Sequence, residues 1–128
     1  MPWTIDHDPK LDVMVITVTG SMTLDEAKAV TRGVLASADE HPTERVLVDA
    51  SELQGWMSPG QILEMIQDYG VASSQRNMRV GVVRPPLTSL HEDLRFYETA
   101  SQNRGYAVRM FADSAAALEW LAPPTDLP

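Results

Sequence analysis

The 128 residues suit one domain with a core of its own, and the absence of cysteine excludes disulfides and thiolate metal sites. Eighteen acidic against ten basic residues leave a net charge of −8, which disfavours nonspecific binding to nucleic acid or anionic lipid. The excess is local: residues 1–68 carry twelve acids and four bases, and residues 69–128 carry six of each.

The N-terminal MPWTIDHDPK lacks a basic segment followed by an apolar run. No window reaches the roughly 18 apolar residues of a membrane span, so a soluble, unexported, cytoplasmic protein is expected. Trp3, Ile5 and His7 alternate with Thr4, Asp6 and Asp8, the period of a half-exposed edge strand. Asp8-Pro9-Lys10-Leu11-Asp12 reads as a turn, and Val13 to Val18 is an apolar, β-branched run that suits a buried central strand. Thr23-Leu24-Asp25-Glu26 matches a capping box, so a helix starts at Leu24. Leu24, Ala27, Val30, Val34, Leu35 and Ala38 line one face of it, and Pro42 lies beyond its end.

The next strand is predicted at Val46–Asp49, followed by a loop to Pro59, where a proline fits the first turn of a helix capped by Ser58. Ile62, Leu63, Met65, Ile66 and Tyr69 form a wide apolar face, with Gly70 as terminator. Arg79–Val83 makes a short strand blocked by Pro85-Pro86. Thr88 or Ser89 then caps a helix bearing Leu90, Leu94, Tyr97 and Ala100. Tyr106–Phe111 is the last strand, and Asp113 caps a helix that buries Ala117, Leu118 and Leu121. Residues 1–122 thus read as one α/β domain in the order β-β-α-β-α-β-α-β-α, with a frayed tail at 123–128. The expected sheet is five-stranded and mainly parallel, with an antiparallel N-terminal edge strand and four helices.

In such a sheet, ligands bind outside the carboxyl ends of the parallel strands. The loops there gather Ser21, Asp49, Ser51, Ser58, Arg84 and Ser89 into a polar rim, with His91 close by. Capping and loop hydrogen bonds account for these residue types without any ligand. A serine nucleophile needs a base, and His91 approaches Ser58 only if two loops converge. His7 lies on the edge strand and His41 at the far end of the sheet. His91, Glu92 and Asp93 are consecutive and fan around a helix, so they do not form a metal site. Neither GxxxxGK[ST] nor GxGxxG is present. Arg84, with the helix start after it, offers a place for one anion. No catalytic residue, metal or cofactor is expected.

Trp56, Met57, Ile62, Leu63, Met65, Ile66 and Tyr69 carry more apolar surface than one core-facing stripe needs. A broad core face with a homodimer contact accounts for this, as does a ligand groove or a membrane-facing patch.

Several segments, taken in order, resemble the SpoIIAA-like branch of the STAS superfamily: Val15-Ile16-Thr17-Val18-Thr19-Gly20 through Ala27, Val46–Ser51, Val80–Val83, Val108–Phe111 and Ala117–Leu121. Anti-sigma-factor antagonists of this superfamily carry a DxS and, seven residues later, a phosphorylated serine in a D-S-[ST]-G turn. Asp49, Ser51, Ser58 and Gly60 match, while Met57 stands in place of the aspartate and Pro59 in place of the second small residue. The resemblance therefore implies a regulatory protein-interaction domain phosphorylated at Ser58. SpoIIAA-like proteins are also similar to CRAL-TRIO carriers. That likeness implies a noncatalytic module for a small hydrophobic or lipid-like ligand, with at most peripheral membrane contact, held at Trp56, Met57, Ile62, Leu63, Ile66 and Tyr69. The missing acid before Ser58 favours this second implication, and the protein-partner reading stands as its alternative.

Overall fold

Successive residues of the run beginning at Val13 turn to opposite sides, so β2 (Val13–Ser21) has two apolar faces. Met14, Ile16 and Val18 lie in one core, and Val13 and Val15 in another. The computed structural model describes residues 3–75, 77–86 and 90–122. The tail at 123–128, Thr88 and Ser89 therefore lie outside the described residues.

β1 (Trp3–Asp8) pairs antiparallel with β2. After α1 (Leu24–Glu40), β3 (Arg45–Gly55) lies parallel to β2. After α2 (Pro59–Gln75) comes β4 (Arg79–Val83), and after α3 (His91–Asn103) comes β5 (Ala107–Phe111), both parallel as well. α4 (Ser114–Leu121) closes the described chain. Strand order in the sheet follows chain order from β1 to β5, as expected for an α/β domain with an antiparallel first strand.

Helices α1, α2 and α3 cover one face. Their Ala27, Val34, Ile62, Ile66, Leu94 and Tyr97 meet Met14, Ile16, Val46, Val80 and Val108 of the strands. α4 covers part of the other face, packing Ala117 and Leu121 against Val13, Leu47 and Val83. Burial of this kind stabilises by about 25 cal/mol per Å² of apolar surface removed from water.

The helix starts follow their caps. Glu26 N–H donates to Thr23 Oγ1 (3.2 Å) while Thr23 N–H donates to the Glu26 carboxylate (3.0 Å), closing the expected box. Ala116 N–H donates to the Asp113 carboxylate at 2.8 Å. α3 differs: its N-cap is Leu90, with no side-chain cap.

Two boundaries depart from the sequence reading. β3 does not stop at Asp49 but continues to Gly55 alongside an extension of β2 through Thr19–Ser21. A register shift between Thr17 and Thr19 lets the pairing resume at Glu52 after the irregularity, as a β-bulge does. α2 likewise runs through Gly70 to Gln75. Gly70 is buried, and a Cβ built there would overlap the Tyr106 ring, so this glycine seats an aromatic side chain against the helix instead of ending it. The positive φ of a terminator belongs, among the described glycines, to Gly20 (φ 67°) and Gly105 (φ 81°).

Candidate functional site

The polar rim resolves into separate small groups. Asp49 and Ser51, both half-buried, are bonded to each other: the Asp49 carboxylate accepts from Ser51 N–H at 3.0 Å and from the Ser51 hydroxyl at 2.6 Å. That pair fixes the chain in the middle of β3 and commits one oxygen of the acid to a local bond. Ser58 stands exposed at the start of α2. Its hydroxyl accepts from Gln61 N–H (3.4 Å), and its own N–H donates to Gln61 Oε1 (3.2 Å). The Ser-Pro-Gly-Gln spacing is thus a second capping box, legible in the sequence once Gln61 is counted as the reciprocating residue.

Arg84 and His91 come together in one surface groove with Arg95 and Glu98. Arg84 N–H donates to the Phe111 carbonyl at 3.0 Å. His91 Nε2 lies 3.1 Å from the Pro85 carbonyl; since a carbonyl only accepts, that nitrogen carries a proton. His91 is therefore engaged by Pro85 and Ser58 by Gln61, and among the described residues no hydrogen bond joins the two. Ser89 lies outside the described residues, and Ser21 is exposed at the end of β2.

A cluster that the sequence reading kept apart appears at the opposite end of the sheet. His7 and His41 stack with ring centres 4.8 Å apart and planes 6° from parallel, and His7 Nε2 lies 3.2 Å from an Asp12 oxygen. Among the described residues no group of three or more histidines and carboxylates is placed to hold a metal ion.

The apolar segment faces inward. Met57 (4 % exposed), Ile62 (0 %) and Ile66 (2 %) belong to the core, and Leu63, Met65, Trp56 and Tyr69 pack on it half-buried. The segment expected to meet a ligand or a membrane is thus packed inward; among the described residues Leu11 is the exposed large hydrophobic, and no helix is long and apolar enough to cross a membrane. The broad apolar face of α2 exists because it packs on the sheet and on both neighbouring helices.

Between that face and the sheet lies a cavity of about 90 Å³. The sheet side presents Ile16, Val18, Val48 and Val82; α1 adds Val30 and Val34, α2 adds Met65 and Tyr69, and α3 adds Leu94 and Tyr97. Trp56, entering from the loop before α2, meets Tyr97 edge to face at 5.5 Å between ring centres. The Tyr69 hydroxyl donates to the Met78 sulfur at 3.9 Å. Burial holds both phenols well above the ordinary tyrosine range, with the neighbouring Tyr97 adding to the effect on Tyr69. Both therefore remain neutral donors. The sequence reading assigned Trp56 and Tyr69 to such a place and missed Tyr97, whose helical spacing reads as an ordinary core position.

The architecture has solved counterparts. A protein from Shewanella loihica PV-4, an uncharacterized member of the DUF3478 family with a SpoIIAA-like fold, is similar over 94 % of this chain and 92 % of its own, at 18 % identity and a TM-score of 0.60. The anti-sigma factor antagonist SpoIIAA in its unphosphorylated form is similar over 89 % and 91 %, at 9 % identity and a TM-score of 0.55. At these identities the likeness is one of fold. No curated protein matches the chain. The SpoIIAA-like family model, however, matches residues 13–122, from the first residue of β2 past the end of α4, and the chain belongs to the SpoIIAA-like family.

Proposed function

We propose that the domain is a noncatalytic regulatory module that binds a protein partner through the corner where β3 leads into α2, in the manner of an anti-sigma-factor antagonist, with Ser58 as its switch. One observation carries this reading: Ser58 is exposed at the start of a 17-residue helix whose first turn holds no acid. A phosphate on that hydroxyl adds roughly −1.5 to −2 charges beside the Gln61 N–H that already donates to it and at the positive end of the helix dipole. Pro59, Gly60 and Gln61 are exposed as well, leaving the corner open to a partner. Membership of the SpoIIAA-like family and the shared fold with an anti-sigma factor antagonist support the same reading. Incubating the protein with ATP and anti-sigma-factor kinases should add one phosphate to the Ser58 peptide and none to a Ser58→Ala variant. An unmodified Ser58, under conditions in which the kinase labels its own antagonist, would sink the idea.

A second reading, binding of a small hydrophobic or lipid-like ligand, is favoured by the apolar cavity under α1, α2 and α3. The two are compatible, since α2 begins at the switch and walls the cavity. Native mass spectrometry of freshly purified protein tests it: a co-purified apolar adduct supports the reading, and a bare chain mass in every preparation argues against it.

A further inference from the structure

We propose that the cavity takes a small, uncharged, mainly apolar molecule bearing one hydrogen-bond acceptor, and that the Tyr97 hydroxyl donates to that acceptor. This rests on the apolar-ligand reading above and narrows it to a chemical class.

Charge comes first. Among the described residues no acidic or basic side chain lines the cavity, so a carboxylate, phosphate or ammonium group would lose its hydration there with no such partner to replace it. That excludes ionised lipids from the buried site. Polarity comes next. The Thr31 hydroxyl is committed to the Ala27 carbonyl at 3.1 Å, and the Tyr69 hydroxyl to the Met78 sulfur, a weak acceptor. Tyr97 is different. It is 9 % exposed, lines the cavity, and its hydroxyl has no protein hydrogen-bond partner among the described residues. Buried hydroxyls are nearly always paired, and leaving one unpaired costs about 1–3 kcal/mol. Burial keeps this phenol protonated, so what it lacks is an acceptor.

Size sets the last limit. On the scale by which a cavity of about 150 Å³ takes benzene, this one of about 90 Å³ suits about four non-hydrogen atoms. A short ketone or ether has that volume, an apolar body and one acceptor. A long acyl chain does not fit within it.

The test uses the full chain and three probes of one shape: acetone, isobutene and acetate. Binding is followed by the Trp56 indole N–H signal in NMR, identified by its loss in Trp56→Phe, because Trp56 lines the cavity and touches Tyr97. Acetone should bind about three- to tenfold more tightly than isobutene, the worth of one net hydrogen bond, and the carboxylate should not bind. Tyr97→Phe, which keeps the ring, should erase the ketone's advantage and leave isobutene unchanged. Equal affinity for ketone and hydrocarbon, an advantage that survives Tyr97→Phe, or carboxylate binding at the ketone's level would overturn the proposal and leave the broader apolar reading standing. A Trp56 signal unmoved by all three probes would overturn both. The ketone-to-hydrocarbon ratio on the unaltered chain needs no variant to be read.

Discussion

Replacing Gly70 by alanine, in chains with and without the Tyr106 ring, separates two accounts of this residue. As a helix terminator, Gly70 would resist substitution for reasons local to the backbone. In the structure it lies inside α2 with Tyr106 where a Cβ would stand, so the added methyl must displace that ring. Overpacking of this kind costs typically about 1–3 kcal/mol, and the higher helix propensity of alanine returns about 1 kcal/mol. The net expectation is a loss of up to about 2 kcal/mol. For a chain of this length each kcal/mol is worth roughly 4 °C, so thermal unfolding should move down by up to about 8 °C. In a Tyr106→Ala background the obstruction is gone and only the propensity remains, so Gly70→Ala should there stabilise by up to about 1 kcal/mol. Denaturant unfolding of the four proteins of this cycle provides the readout. An equal penalty in both backgrounds, or a stabilised single variant, would refute the packing account and with it the run of α2 beneath Tyr106.

Met57 occupies the position where the phosphoswitch pattern has an aspartate, yet it is 4 % exposed and part of the core. Met57→Asp, which restores the pattern, should therefore destabilise by about 3 kcal/mol or more, measured by urea unfolding; a neutral result would mean that the side chain reaches solvent. Alkaline titration tests the cavity tyrosines. Their folded pKa values lie above the unfolded one, so above about pH 10 the unfolded chain binds fewer protons than the folded chain, and stability falls as pH rises. Each phenol contributes a slope of about 1.4 kcal/mol per pH unit in that window. Tyr97→Phe should remove one such slope, and a variant whose stability tracks that of the unaltered chain from pH 10 to 12 would contradict burial of that hydroxyl.

Much of the fold was legible because its signals are local. Thr23 with Glu26, Ser58 before Pro59 and Asp113 before Ala116 mark helix starts by side-chain chemistry, and each forms the expected cap. The apolar, β-branched run from Val13 to Val18 likewise suffices to place a central strand. What escaped depends on partners distant in sequence. Ala50 and Leu53 are buried three residues apart, a spacing that hides a strand until the shifted register opposite Thr19 is known. Gly70 has the composition of a terminator, and only the position of Tyr106 reveals its other use. Within the candidate site, Asp49, Ser51 and Ser58 were singled out by their place in the loops after the strands and by the resemblance to anti-sigma-factor antagonists. Periodicity indicates which side of a helix faces inward, but not whether the facing side chains fill the space between them. Tyr97 and the cavity it lines were therefore hidden among core positions.

The central claim is that the β3–α2 corner binds a protein partner under the control of Ser58. Titration calorimetry of an anti-sigma-factor kinase with the unaltered chain and with Ser58→Glu tests it most directly. The account predicts saturable binding of the unaltered chain and an affinity at least tenfold different for Ser58→Glu, a change of about 1.4 kcal/mol or more. No binding, or the same affinity for both chains, would contradict it.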